Sequence, residues 1–250
     1  TVASQSDLVR RRTVEEWDAG WVPTFTHGRG RWTVELQGEA RFHRAHHYGE
    51  VRWAELLPTL SPDHRYYDYQ VEKQTASVSG ELRVAVTPRL SLTGGLQATH
   101  HGYDLSEDQL KGVSLSEDYN FVLPRAGAVL ALSSGANAYL GVARGMREPF
   151  FRSIYDPQDY YATPVALDPE DVWNVEAGVS VQQPRWRARG NLYWMKFLNE
   201  IVYAGALDDN GVPIYGNGAR SRRLGVELEG SLTLAPGLAL EGALSLSRNT

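Results

Sequence analysis

LGVELEGSLTLAPGLALEGALSLS, Leu224 to Ser247, decides the reading of this chain. Leu224, Val226, Leu228, Gly230, Leu232 and Leu234 take every second position, and Gly225, Glu227, Glu229, Ser231 and Thr233 fill the gaps. After Ala235-Pro236-Gly237 the alternation restarts with Leu238, Leu240, Gly242, Leu244 and Leu246. A period of two on both sides of a Pro-Gly turn predicts two antiparallel strands, each apolar on one face and polar on the other. The apolar face must meet either a second sheet or lipid.

The same pattern recurs along the chain. Trp32, Val34, Leu36, Gly38, Ala40 and Phe42 oppose Thr33, Glu35, Gln37, Glu39 and Arg41; Trp173, Val175, Ala177, Val179 and Val181 oppose Asn174, Glu176, Gly178, Ser180 and Gln182. Roughly ten strands follow from this rule, near 15–26, 31–46, 71–87, 90–101, 118–132, 137–147, 171–182, 186–203, 220–234 and 238–249. The phase of the strand near 137–147 is ambiguous, because Leu140 and Val142 share a face with Arg144.

The connections alternate in length. His27–Gly30, Pro88-Arg89, Ser133–Ala136, Gln183–Arg185 and Ala235–Gly237 are tight, whereas the stretches near 47–70, 102–117, 148–170 and 204–219 are long. Short turns at one end and long loops at the other mark an up-and-down transmembrane barrel. Greek-key sandwiches mix both kinds of connection at each end. The polar faces carry Glu35, Glu39, Arg41, Glu81, Arg83, Glu176, Arg187, Arg189, Glu227 and Glu229. A small barrel would have to bury these charges, at several kcal/mol each if unpaired; a wide barrel leaves them in a wet lumen or against a plug. Glycines on the apolar faces would leave gaps in a packed core, and lipid tails fill such gaps. The apolar faces therefore meet lipid. Trp21, Trp32, Trp173, Trp186 and Trp194 lie on them, several near strand ends, as in the aromatic girdles of barrels.

Composition bounds the alternatives. The 250 residues are 42% hydrophobic and 22% charged, with a formal net charge of −5, which excludes a disordered chain and argues against a nucleic-acid partner. There is no cysteine, hence no disulfide framework and no thiolate metal site. No apolar run reaches the roughly 18 residues of a membrane-spanning helix, and residues 1–20 hold no signal peptide.

Four segments carry a family likeness. GVARGMREPFFRSIYDP, Gly141 to Pro157, resembles the strand-then-loop segment of TonB-dependent outer-membrane receptors, with Met146 where an aromatic is usual. LDPEDVWNVEAGVSV (Leu167 to Val181), NLYWMKFLNEIVYAG (Asn191 to Gly205) and YGNGARSRRLGVELEG (Tyr215 to Gly230) are similar to the segments that follow it, in the same order. The resemblance implies a bacterial outer-membrane receptor: a barrel of about 22 strands, filled by an N-terminal plug and driven from the inner membrane by the TonB energy-transducing protein. All 250 residues would then be part of one barrel domain, with the plug and remaining strands outside this chain. Alone, such a piece leaves two sheet edges unpaired.

The resemblance also implies a binding protein, with no bond-changing chemistry and no resident cofactor, that takes up a small-molecule ligand such as a ferric siderophore or other metal chelate. It places Glu176 and Glu227 where family glutamates pair with plug arginines; Glu229, Arg187 and Arg189 share those polar faces. In the loop from Arg147 to Glu170, Phe150, Phe151, Tyr155, Tyr160 and Tyr161 stand beside Arg147 and Arg152. Rings with arginines suit an anionic chelate carrying aromatic groups, and loop packing is the alternative reading. By phase, His43, His47 and His101 face inward and His46 and His100 outward. Strands two apart are separated by roughly 10 Å, too far for one shared metal ion, and interfacial or loop roles are the simpler reading. Asp208-Asp209-Asn210-Gly211 lacks the spacing and closing Glu of a calcium loop and reads as a tight turn. No G-x-S-x-G elbow, H-E-x-x-H or P-loop is present. The rival classes are a barrel-type surface enzyme, with no evident partner for His46 or His100, and an adhesin or assembly barrel.

Overall fold

The computed structural model describes residues 7–56, 63–156, 164–207, 211 and 213–250. The chain forms β1 (Leu8–Trp21), β2 (Thr24–Arg29), β3 (Trp32–Ala54), β4 (His64–Ala85), β5 (Leu90–Ser106), β6 (Leu115–Ser133), β7 (Ala136–Arg147), a single turn of helix α1 (Phe151–Ile154), β8 (Glu170–Gln182), β9 (Trp186–Leu207), β10 (Pro213–Ala235) and β11 (Leu238–Asn249). All strands belong to one antiparallel sheet in which sequence neighbours pair, from β1 through to β11. β2 pairs β3 in the register that β1 began: Trp21 faces Ala40 and Thr24 faces Gln37. The break between them falls at Val22-Pro23. Proline has no N–H to give the ladder, but the Pro23 carbonyl still accepts from the Gly38 N–H at 3.0 Å. The eleven segments are thus ten rods, matching the ten expected from periodicity.

The outer face is aliphatic. Val78, Leu96, Leu192, Leu240 and Leu246 are all more than half exposed. As a single-layer sheet the chain exposes 16429 Å², inner face and edges included, against about 11,000 Å² for a compact soluble protein of this mass, so the apolar character of the outer face rather than total area is what matters. Beside outer-face Gly94 and Gly242, a Cβ would meet nothing within 4 Å. A surface so apolar and unfilled is solvated by lipid.

Aromatic rings bound the apolar band. Phe25, His27 and Trp32 cluster at the short-turn end, and Trp17 packs on Phe42 at the other. On β3 the band runs from Trp32 to Phe42, roughly 33 Å of strand at 3.3 Å per residue, or about 25 Å of height at a barrel tilt near 40°. That equals the apolar thickness of outer-membrane barrels. Trp21, opposite Ala40, lies two residues inside the band rather than at its rim.

The strands continue well past the band, so three of the four long connections are shorter than the sequence pattern suggests, the one between β7 and β8 keeping its length. β3 and β10 run 23 residues, β4 and β9 22. Beyond Phe42 the outer face turns polar, with Arg44, His46 and Tyr48, so alternation disappears while the ladder persists. Arg44 reaches Gln70 and Glu72; Asp68, almost fully buried, lies 2.7 Å from His46 Nε2 and 2.5 Å from Arg65. The ambiguous Arg144 has the same explanation. It does share the outer face with Leu140 and Val142, but it sits just above the band and donates two bonds to the Asp171 carboxylate, at 3.0 and 2.9 Å.

Candidate functional site

The inner face divides into two zones. At the long-loop end, two aromatic clusters form the only well-buried core among the described residues. Tyr67, Tyr69, Val71 and Leu105 pack with Tyr155; Tyr103, Tyr119 and Phe121 pack with Ile154. Tyr155 and Ile154 belong to the connection after β7, which turns inward through α1. Helical sequence does not hold that turn in place; its N-cap makes no side-chain bond. Two tertiary anchors and one ion pair within the turn hold it instead.

The first anchor is Glu148. Its carboxylate accepts from Lys73 Nζ at 3.0 Å and from the Tyr103 hydroxyl at 2.9 Å, with His101 Nε2 at 3.7 Å. Burial pushes this carboxyl up, but its own backbone N–H, Lys73, the charge of His101 and the Tyr103 hydroxyl together outweigh burial and hold it below the usual value. The second is Asp108, buried, which accepts from the Leu110 and Val113 N–H groups and from the Tyr155 hydroxyl at 3.0 Å. Burial, then the bond to Asp108 and the charges of Asp108 and Asp156, push the Tyr155 phenol up. The ion pair is that of Arg152, which donates to Asp156 at 2.9 and 2.7 Å.

Below this inward turn lies a recess of about 530 Å³, lined by Asp18, Arg41, His43, Lys73, His101 and Met146 among others. His43 Nδ1 lies 2.8 Å from Asp18 Oδ1, and Thr75 Oγ1 lies 2.9 Å from His101 Nδ1. The inner-facing histidines are where strand phase put them: His47 stacks on Tyr69, and His100 on the other face meets Asn120. No group of three His, Asp or Glu side chains suited to a metal ion occurs among the described residues.

Of the loop residues expected to meet a ligand, Tyr155 is buried with its hydroxyl committed, and Phe151 packs on both aromatic clusters. Phe150 stays nearly half exposed, edge-on to Tyr215. Arg147 pairs with Glu170 at 3.1 Å and Arg152 with Asp156. Tyr160 and Tyr161 lie outside the described residues, as do Asp208, Asp209 and Asn210.

The second zone lies nearer the short turns. The ladder sets Asn191 opposite Glu227 and Arg189 opposite Glu229. Asn191 donates to Glu227 at 3.2 Å and accepts from the Tyr139 hydroxyl at 2.9 Å, while Arg189 donates to that hydroxyl at 3.2 Å and approaches Glu229 at 3.9 Å. Arg187 reaches Glu241 at 3.1 Å. Glu176, on β8, accepts from Asn174 at 2.7 Å, and the buried Asn174 carbonyl oxygen has no partner among the described residues. Four of the five predicted inner-face residues thus form one patch along β9 and β10, flanking a recess of about 920 Å³. Two glycines make room for its rings. A methyl at Gly178 would strike the Tyr139 ring and hydroxyl, and one at Gly225 would lie 2.5 Å from Tyr193.

Sequence reasoning missed Lys73, Glu148, Asp108 and Tyr139. Lys73 and Tyr139 share the phase of recognised inward residues, which is a usable signal. Glu148 and Asp108 lie in connections, where no periodicity speaks.

A family model described as TonB dependent receptor-like, beta-barrel, matches residues 3–249. No curated protein matches the chain. Among solved structures, the copper transporter OprC superposes with a TM-score of 0.76 at 14% identity, over 96% of this chain and 38% of that one. The ferric yersiniabactin uptake receptor FyuA from Yersinia pestis does so with 0.66 at 14%, over 99% and 37%. The ferric citrate transporter FecA gives 0.68 at 14%, over 97% and 37%. The chain spans less than two fifths of each.

Proposed function

This chain belongs to the TonB-dependent receptor β-barrel family and to the bacterial outer membrane, and from that premise we propose that it is part of the wall of an energy-dependent uptake receptor. The plug and the remaining strands are supplied by parts of the receptor outside these 250 residues. The plug rests against Glu176, Glu227, Glu229, Arg187 and Arg189, and the TonB protein acts on it from the inner membrane. The cargo is an iron chelate, a ferric siderophore foremost, held between the recess and the inward turn at 148–156.

One observation carries this reading: the two faces of the sheet have opposite solvents. The outer face is fit only for lipid, and the inner face bears half-exposed charges that a plug can reach. Arg187, Arg189 and Glu229 keep more than half of their side-chain surface open, and charge-assisted bonds of that kind hold firmly yet reversibly. Arg41, Lys73, His43 and His101 line one recess together with Asp18 and Glu39, which pair with His43 and Arg41; a donor-rich lining of this kind suits an anionic chelate that takes the place of those pairs. A copper cargo is the second reading, favoured by His43, His101 and Met146 at the same recess and by the likeness to the copper transporter. An enzyme is excluded by family.

The test is uptake by cells expressing the complete receptor, with labelled ferric citrate, a ferric catecholate, a ferric hydroxamate and cupric ion offered separately. Uptake of one ferric chelate, abolished without TonB and reduced at least tenfold by Arg41→Ala with Lys73→Ala, is expected. Uptake of copper alone would replace the iron reading. Uptake that persists without TonB would refute the receptor reading.

A further inference from the structure

The outer face of β9, β10 and β11 carries four cations with no side-chain partner among the described residues. Lys196 lies directly opposite Arg222. Arg220, opposite Leu198, is two residues along the same face. Arg248 lies opposite Leu224 and is one diagonal step from Arg222. Facing side chains in a sheet sit about 5 Å apart and diagonal ones about 7–8 Å, so the four charges occupy a patch about 14 Å across at its longest, from Arg220 to Arg248. Among the described residues none of their side chains makes a hydrogen bond or ion pair. The acids nearby are committed: Glu200 to Ser221 and Arg223, Asp171 to Arg144.

Like charges set directly opposite one another destabilise a ladder. This fold avoids that elsewhere at the same height. Arg44 has Gln70 and Glu72, His46 and Arg65 share Asp68, and His100 has Asn120. The unneutralised row is therefore confined to one sector. Its depth is set by the facing pair Trp194 and Leu224, which lies one step toward the band. Tryptophan at a barrel rim marks the headgroup level, so the row points sideways into the headgroups of the outer leaflet.

We propose that Lys196, Arg220, Arg222 and Arg248 form a docking site for a phosphate-bearing lipid headgroup. Guanidinium forks match phosphate oxygens two at a time, and the ammonium adds a compact charge. Leu192, Leu224, Val226 and Leu246 lie below on the same face, all exposed, and receive the acyl chains. A lipid uses both surfaces; free phosphate would use only the upper one.

The test uses the complete receptor in nonionic detergent, exposed to diphosphorylated lipid A, to phosphatidylcholine or to inorganic phosphate, with retained ligand read by native mass spectrometry. The parent is expected to retain diphosphorylated lipid A and little phosphatidylcholine. The triple variant K196Q/R222Q/R248Q should lose at least tenfold in retention, and Lys196→Arg should keep it. Equal retention by parent and triple variant would overturn the site. Inorganic phosphate that competes as well as the lipid would overturn the lipid assignment. If the triple variant does not fold, Arg222→Gln alone decides, with folding checked by heat-modifiable electrophoretic mobility: undiminished retention by that folded variant overturns the proposal.

Discussion

Replacing Glu148 by alanine should release the inward turn at 148–156 without unfolding the barrel. Its carboxylate joins this segment to β4 through Lys73 and to β5 through Tyr103. A hydrogen bond to a charged group contributes about 1.5–3 kcal/mol net, but Lys73 is one-third exposed and its share falls to about 0.5–1 kcal/mol. With about 1–1.5 kcal/mol for the buried Tyr103 hydroxyl, the loss is about 2 kcal/mol, or roughly thirtyfold in the open population. Amide hydrogen exchange in the complete receptor reads this directly. The Ser153 and Tyr155 N–H groups, bonded to the Phe150 and Phe151 carbonyls, should exchange roughly thirtyfold faster, while those of β4 and β5 within the apolar band stay unchanged. The same carboxyl sets a pH dependence. Because it is held below its ordinary 4.5, its contribution is complete above that value and is lost as pH falls through the depressed one. The parent turn should therefore loosen only in acid, at pH values below 4.5, and the alanine variant should lack that acid step. Exchange at Ser153 and Tyr155 unaltered by Glu148→Ala would refute the reasoning; so would a rise of equal size in every strand.

Three further outcomes follow from other contacts. Tyr155→Phe keeps the ring in its cluster but removes one bond to the buried Asp108, and should cost about 1 kcal/mol, visible as faster exchange at Leu110 and Val113. Gly178→Ala should push Tyr139 off Asn191 and Arg189, strain the β8–β9 ladder at the Gly190 carbonyl and shift the Tyr139 ring resonances, whereas Gly94→Ala, on open lipid-facing surface, should change nothing measurable. Leu192→Lys, in the middle of the apolar band, should lower folding stability in vesicles by about 2–4 kcal/mol, while the inward Thr99→Lys should leave insertion intact.

The fold was legible because lipid imposes a strict period of two on every strand that crosses it. The pattern at Leu224–Ser247 therefore located the end of β10, its turn and β11 almost to the residue. Legibility ended where lipid ended. Above Phe42 and Trp194 both faces of the ladder are polar or aromatic, so the upper thirds of β3, β4 and β10 read as loop. The candidate site divides along the same line. Glu227, Glu229, Arg187 and Arg189 follow strand phase, and the structure brings them into one patch. The aromatic loop residues do not follow a phase. Composition alone could not say that Tyr155 turns inward to Asp108 while Phe150 stays out against Tyr215, because that choice depends on partners more than forty residues away in the chain.

The long ladders above the band also set the protein's reach. From Arg44 to Ala54, β3 rises a further 25–30 Å or so at the same tilt, about as much again as the membrane's apolar thickness. Cross-linked by Arg44, His46, Asp68 and Arg144, this portion is a stiff collar rather than a fringe of loose loops. A molecule approaching the cell meets the rim of that collar before it meets the lipid surface. Toxins, phage tail fibres and antibodies would find their footing on strand edges and turn tips standing clear of the surrounding sugars, so substitutions that let a cell escape them should collect at the rim and spare the wall beneath.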